Sequence, residues 1–334
     1  MYAKYLQKLA ALPARTAEWS GRAGPVALWG VDNMNNGSAG RLSAVFQETA
    51  LHSDSDWYFT PKWYEEGPIE APPQTVPHLP ILNCGTMVPE NPAEWTPKNF
   101  EWYNATMQAA ATLAEKGYIP VTLGGNSMVT MAALEGIKQG LGIQDCVLCN
   151  YGADPRVSEP TSPIRVLLEK NALKGYIQIG GRGVDKATRK VRKEHTCRYI
   201  DTNALFAHGV FLIKDFRNNW PIYLTIDLGV LDPSCAPGVE NPESGGLTVR
   251  ELLHTLHALR GTKIIGVDIV GYHPKYDIKM GEHPYGLTEL AAGKVLKEAI
   301  LKAYTISTTT LSDGQDRLTE MKKQGQAPTS YPDL

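Results

Sequence analysis

Short apolar runs alternate with amphipathic stretches along most of this chain, and this alternation constrains the fold more than any other feature. The runs are rich in Val, Ile and Leu, and glycine often follows them, as in buried strands of a parallel sheet. The predicted strands are VALWGV (26–31), LPILNCG (79–85), YIPVTLGG (118–125), DCVLCNYG (145–152), YIQIGG (176–181), WPIYLTIDLG (220–229) and TKIIGVDIVG (262–271). The predicted helices are 98–116, 128–140, 162–171 and 247–260. Strand, helix and strand in repetition predict an α/β fold, a three-layer α/β/α sandwich with a mostly parallel sheet.

The chain has 334 residues and shows no domain linker or internal repeat. A single large α/β core can bury a chain of this length. We therefore predict one domain over residues 1–304 and an extended polar tail over 305–334. The segments 52–78 and 86–97 are Pro- and acid-rich and are interpreted as insertions.

Charge and hydropathy argue against two classes of partner. The chain carries 33 Lys and Arg against 35 Asp and Glu, so it offers no broad basic surface to nucleic acid. No apolar run approaches the ~18–20 residues that cross a bilayer. The five cysteines fit a reducing compartment, and we expect a cytoplasmic protein. Residues 2–15 resemble a mitochondrial presequence in being basic and acid-free, but the helical spacing of their apolar residues favours a packed first helix.

Cys146 and Cys149 form a CxxC pair within a predicted strand. Residues three apart on a strand point to opposite faces of the sheet. The pair is therefore not expected to chelate a metal or form a redox couple.

The carboxyl ends of the strands are where chemistry is expected, because ligands of open parallel sheets bind there. Four of these ends carry polar or glycine-rich sequences. They read LGGNS (123–127), CNYGAD (149–154), TIDLGVLDP (225–233) and DIVGYHP (268–274).

The segment YLTIDLGVLDPSCAPGVENPESGGLT (223–248) resembles the signature of the ureohydrolases, the superfamily of arginase, agmatinase and formiminoglutamase. In that signature a strand ends in Asp-x-Asp-x-x-Asp-Pro and continues through Ala-Pro-Gly to Gly-Gly-Leu-Thr. Further segments follow in family order, and together the resemblance covers residues 26 to 301. It implies the arginase-like fold and, in active relatives, two Mn²⁺ ions sharing a hydroxide that attacks a guanidinium or related carbon.

The resemblance also implies where the metal ligands would lie, and most of them are missing. The Gly-Gly-Asp-His, Asp-Ala-His-x-Asp and Asp-x-Asp motifs supply six ligands in the family. The corresponding residues here are Ser127, Asn150, Gly152, Asp154, Asp227 and Gly229. Only Asp154 and Asp227 keep a carboxylate, so a weak single site between them is the most that remains.

Two further parts of the family chemistry are also absent. The loop 155–163, where the family places a proton-shuttling His, contains none. The position of the carboxylate that holds the guanidinium corresponds to Gly271. We therefore predict an arginase-like pseudoenzyme with no catalytic residues and no cofactor, where active relatives use Mn²⁺.

Two alternatives remain open at this point. The first is an active metal-dependent hydrolase of arginine, agmatine or another guanidino compound. The second is a regulatory or scaffolding subunit that binds a small molecule or a protein. The resemblance further implies a homotrimer or a hexamer.

Three other groups of residues have a structural and a functional interpretation. His254 and His257 are three apart on a predicted helix and could form a ligand pair, but a solvated or hydrogen-bonded face is favoured. Cys235 is interpreted as a packing residue because no base is evident to activate it. A dense basic group is expected to lie on a solvated helix face; its members are Lys186, Arg189, Lys190, Arg192 and Lys193.

Overall fold

A computed structural model describes most of the chain. The described residues are 2–12, 26–32, 37–47, 57–59, 74–76, 81–87, 101–153, 162–182, 186–214, 220–259 and 263–306. The strands are β1 Val26–Val31, β2 Trp57–Phe59, β3 Gln74–Val76, β4 Ile81–Met87, β5 Ile119–Gly124, β6 Val147–Tyr151, β7 Gly175–Gly181, β8 Cys197–Asp201, β9 Ile222–Asp227 and β10 Ile264–Val270. The helices are α1 Tyr2–Ala10, α2 Ser38–Phe46, α3 Glu101–Glu115, α4 Ser127–Leu141, α5 Pro163–Glu169, α6 Lys186–Glu194, α7 Thr202–His208, α8 Phe211–Lys214, α9 Val249–Ala258 and α10 Leu287–Ile306.

The main sheet has eight strands in the order β4-β1-β5-β10-β9-β6-β7-β8, and all of its pairings are parallel. Parallel strands need crossover connections, and the intervening helices supply them. The predicted α/β/α fold is confirmed. Strands β2 and β3, inside the predicted insertion 52–78, form a separate antiparallel pair.

Two hydrophobic clusters cover the two faces of the main sheet. Cys149 belongs to one cluster and Cys146 to the other, and both thiols are buried. The two cysteines therefore point to opposite faces, as their spacing on a strand predicts. Burial raises the pKa of the Cys149 thiol to about 12, so it is an unreactive core residue.

Helices lie at both ends of the described chain. Helix α1 buries Leu9 fully and packs Tyr5 and Leu6 against the cluster that contains Cys146, so a packed first helix is confirmed. Helix α10 continues to Ile306, two residues into the expected tail, whose remaining residues lie outside the described chain. Among the described residues, no helix is long and apolar enough to cross a bilayer.

Strand β8 was not predicted from the sequence. Its sequence, CRYID, carries two charged residues, and only Ile200 is buried. It lies beside β7 at the edge of the sheet, and no other strand of the described residues pairs with its far side. An edge strand does not need the continuous apolar pattern of a central strand, which is why the pattern missed it.

Candidate functional site

The four motif-bearing strand ends lie on four consecutive strands of the sheet. These strands, β5, β10, β9 and β6, are neighbours in that order. Parallel strands end at one edge, so the motifs are brought together there. The Gly271 amide donates to the carbonyl of Gly125 at 2.9 Å and ties the ends of β10 and β5.

The Gly-Gly-Asn-Ser segment forms the start of α4. Asn126 is the N-cap of this helix, and its side-chain oxygen accepts from the Met128 amide at 3.1 Å. Ser127 is the first helical residue and is half-buried. A short polar side chain at the N-cap is the residue type that starts a helix well, so this segment has an ordinary structural role here.

Asn150 lies at the end of β6 in a buried polar network with two residues of β7. Its side-chain nitrogen donates to Gln178 Oε1 at 2.7 Å and to Tyr176 Oη at 2.9 Å. The Tyr176 hydroxyl donates to the same Gln178 oxygen, and Gln178 Nε2 donates to the carbonyl of Gly152. Burial raises the pKa of Tyr176 well above its ordinary value, so its hydroxyl remains a donor.

Asp227 ends β9 and caps a short 3-10 helix, Leu228–Val230. Its Oδ1 accepts from the Gly229 amide at 2.8 Å. A Cβ at Gly229 would lie 3.1 Å from the same oxygen. Gly271, with φ +86°, also lies against this oxygen, and a Cβ there would overlap it. Main chain from both glycines therefore lies close to Oδ1 of Asp227.

Asp232 keeps the turn that follows the Asp-x-Gly segment. Its carboxylate accepts from the amides of Ser234 at 3.0 Å, Gly245 at 2.8 Å and Gly246 at 3.1 Å. These hydrogen bonds, that of Ser234 foremost, lower the pKa of Asp232 to about 2. The turn resembles the family signature in sequence, and the Asp232 carboxylate stabilises it by accepting these hydrogen bonds.

Arg182, at the end of β7, is a buried cation beside this turn, and sequence analysis missed it. Its guanidinium donates to the carbonyl of Val230 at 2.8 Å and to that of Gly229. Its Nε lies 4.0 Å from Glu243 Oε2. Burial lowers the pKa of Arg182, and the charges of Glu243, Asp232 and Asp227 oppose that shift. The only signal in the sequence was its place after a strand-ending Gly-Gly pair.

Asp268, in the middle of β10, is a second residue that sequence analysis did not single out. It is fully buried and accepts from the hydroxyls of Tyr223, at 2.8 Å, and Thr225. Burial raises its pKa to about 7. A buried carboxyl with this pKa is partly protonated at neutral pH.

The described residues do not fit a two-metal centre. Of the six positions where the resemblance places metal ligands, Gly152 and Gly229 have no side-chain donor, and the side-chain nitrogen of Asn150 donates to Gln178. No group of three or more His, Cys, Asp or Glu suited to a metal occurs in the described part of the chain. Asp154 and most of the loop 155–163 lie outside the described residues, so the expected pair of Asp154 and Asp227 stays a prediction.

Of the remaining predicted groups, two have hydrogen-bond partners, and the described side chains of the third are exposed. His257 Nε2 lies 2.9 Å from Glu298 Oε2, which supports a hydrogen-bonded helix face. The Cys235 thiol donates to the carbonyl of Asp232 at 3.3 Å, and burial raises its pKa, consistent with a packing role. In the basic group, four side chains are exposed on α6 and that of Arg192 is not described. The exposed members are Lys186, Arg189, Lys190 and Lys193.

Comparison with known proteins agrees with this geometry. The arginase family profile matches residues 61–302. The chain belongs to the arginase family. An arginase-like protein of T. brucei in an oxidized form is 40% identical, with a TM-score of 0.79, over 93% of this chain and 98% of the other. A triple mutant of that T. brucei protein, solved bound with Mn²⁺, is 40% identical with a TM-score of 0.78, over 92% and 100% of the two chains.

Two curated family members show more distant similarity. The mitochondrial arginase of Medicago truncatula is 28% identical over 55% of this chain and 55% of its own length. The mitochondrial guanidino acid hydrolase of Homo sapiens is 27% identical over 60% and 59%. The match thus spans little more than half of these relatives.

Proposed function

We propose that this chain is an arginase-like pseudoenzyme, which holds no Mn²⁺, releases no urea from guanidino compounds, and uses the fold for binding or regulation. The supporting observation is that few free donor atoms remain at the positions that the second metal of the family would use. These positions are Asn150, Gly152, Asp227 and Gly229. A first-row dication needs several oxygen or nitrogen donors in fixed geometry. Here two positions are glycine, one is an amide held by Gln178 and Tyr176, and one is a carboxylate bonded to a main-chain amide.

The first metal position would retain more donors. Its residues would be Ser127, Asn150, Asp154 and Asp227, which include two carboxylates. A loosely held Mg²⁺ or Ca²⁺ is the most that such a set supports, because both ions accept oxygen donors and keep bound water. An active single-metal hydrolase is the alternative function, since named relatives include an arginase and a guanidino acid hydrolase.

The substrate side of the site supports the same proposal. Gly271 offers no carboxylate to hold a guanidinium, and its main chain lies against the carboxylate of Asp227. Catalysis by bound hydroxide also requires the reacting carbon to be held in position. A single bound cation would therefore face an unpositioned substrate.

The assembly and location are also proposals. We propose a homotrimer or a hexamer, with a small-molecule or protein partner and without nucleic acid or membrane. The cytoplasm is the proposed compartment, and the relatives named as mitochondrial make an organelle the alternative.

Calorimetric titration of the metal-stripped protein with Mn²⁺ and, separately, Mg²⁺ tests the proposal. We expect no Mn²⁺ binding in the micromolar range. Saturable micromolar binding of Mn²⁺ accompanied by urea release from arginine or agmatine would favour the alternative. Pull-down from the cells that make the protein, with the chain as bait, addresses the regulatory role by asking whether an active family member co-purifies.

A further inference from the structure

The donors and acceptors around Gln178 determine which way its side-chain amide is oriented. The carbonyl of Gly152 can only accept, so the atom of Gln178 that faces it is the nitrogen. The oxygen of Gln178 must then face Asn150 and Tyr176, and both donate to it. All three side chains are buried, with Gln178 and Asn150 opposite each other in the β6–β7 register.

This orientation is specific for an amide at position 150. An aspartate there would place a carboxylate oxygen against Gln178 Oε1, so two buried acceptors would face each other without a proton between them. Rotating the Gln178 amide would satisfy the carboxylate, but it would turn Oε1 towards the carbonyl of Gly152. One mismatched pair therefore remains in either orientation.

The same amides also crowd position 152. A Cβ at Gly152 would lie 3.2 Å from Asn150 Nδ2 and 3.4 Å from Gln178 Nε2. The first separation is tight for a methyl group and the second is an ordinary van der Waals contact, so the two amides leave little spare room beside position 152. Gln178 thus opposes a carboxylate ligand at position 150, and it also borders the space that a side chain at position 152 would need.

We infer that Gln178 is a positioning residue that closes this site to metal, in addition to the loss of the ligands themselves. It lies outside the family's ligand motifs and acts through Asn150 and the Gly152 carbonyl. The inference rests on the proposed metal-free state. It adds that replacing the missing ligands is insufficient while Gln178 remains.

Metal titration of restored variants tests this inference. The first variant carries Ser127→His, Asn150→Asp, Gly152→His and Gly229→Asp, and the second adds Gln178→Met, which keeps an unbranched side chain without an acceptor amide. We expect the second to bind Mn²⁺ at least tenfold more tightly in calorimetry. The control adds Thr122→Val to the first variant, a buried change on β5, and should leave the affinity unchanged.

Equal Mn²⁺ affinity of the two restored variants, whether tight or absent, would overturn the inference. The proposed metal-free state is judged separately, on the unmutated chain. It could therefore fail while the comparison between variants still succeeds.

A double-mutant cycle in the otherwise unchanged chain gives a test without metal. We expect Asn150→Asp to reduce the folded-to-unfolded ratio at least tenfold at neutral pH, measured by urea unfolding. In the Gln178→Met background, the fold-reduction of this ratio caused by Asn150→Asp should be at least five times smaller, because the opposing acceptor is gone. Additive effects would contradict the role of Gln178.

Discussion

The main chain of Gly271 lies against the carboxylate of Asp227, so closely that a Cβ at Gly271 would overlap Oδ1 and lie 3.1 Å from Cγ. Gly271 also has φ +86°, a conformation that side chains with a Cβ rarely adopt. The position that corresponds to the family's guanidinium-binding carboxylate is therefore constrained twice. A glutamate cannot be placed there without moving the end of β10 or the Asp227 side chain.

Comparing Gly271→Ala with Gly245→Ala should separate the effect of the positive φ from that of the overlap with Asp227. Gly245 has φ +82°, and the nearest atom to its Cβ position is 4.0 Å away. Backbone strain should lower the free energy of unfolding of both variants by about 1–2 kcal/mol. The overlap with Asp227 should lower that of Gly271→Ala by roughly 1–3 kcal/mol more. Urea unfolding measures both losses. Equal losses would mean that Asp227 moves aside freely.

Stability near neutral pH should depend on Asp268. Burial raises the folded-state pKa of Asp268 to about 7, whereas the carboxyl of an unfolded chain keeps its ordinary value of 3.8. Between these values the folded state binds the extra proton, so the Asp268 contribution to stability is full below about pH 4 and is lost as pH rises through about 7. Asp268→Asn should flatten the decline in unfolding free energy across this window. Parallel pH profiles for the variant and the unmutated chain would refute this assignment.

The oligomeric state should be a trimer or a pair of trimers, and the tail should contribute to it. Helix α10 ends at Ile306, so a chain that lacks residues 307–334 keeps every described helix and strand. The tail is polar and lacks the apolar content of a core element, so its removal should weaken assembly more than folding. Light scattering and thermal unfolding of both forms measure the two effects. A monomer at micromolar concentration for the full chain would contradict the proposed assembly.

The sequence predicts the sheet well where local patterns are strong. All seven predicted strands are present with small changes at their ends, and the predicted helix 247–260 is present as α9, which begins at a capping box of Thr248 and Glu251. The ordered family motifs place Ser127, Asn150, Asp227 and Gly271 at neighbouring strand ends. These features depend on residues close together in the chain, which a sequence pattern can record.

The parts that the sequence could not predict depend on which residues lie opposite each other across strands. Gln178 and Tyr176 look like ordinary strand residues until the β6–β7 register brings them to Asn150. Asp268 has its partners on β9, and Arg182 reaches the carbonyls of the 229–230 turn. A count of ligands alone therefore predicts that four substitutions would rebuild the metal site, whereas the contacts of Gln178 add a fifth requirement.

Metal content and urea release of the purified protein test the central claim most directly. The protein should be prepared without chelator from Mn²⁺-supplemented cells, with an active arginase purified in parallel as a control. Elemental analysis should find far less than one Mn per chain, and assays with arginine and agmatine should release no urea, because too few ligands remain to hold the ions. Two equivalents of Mn per chain, with urea formed at a rate like that of the control, would contradict the account.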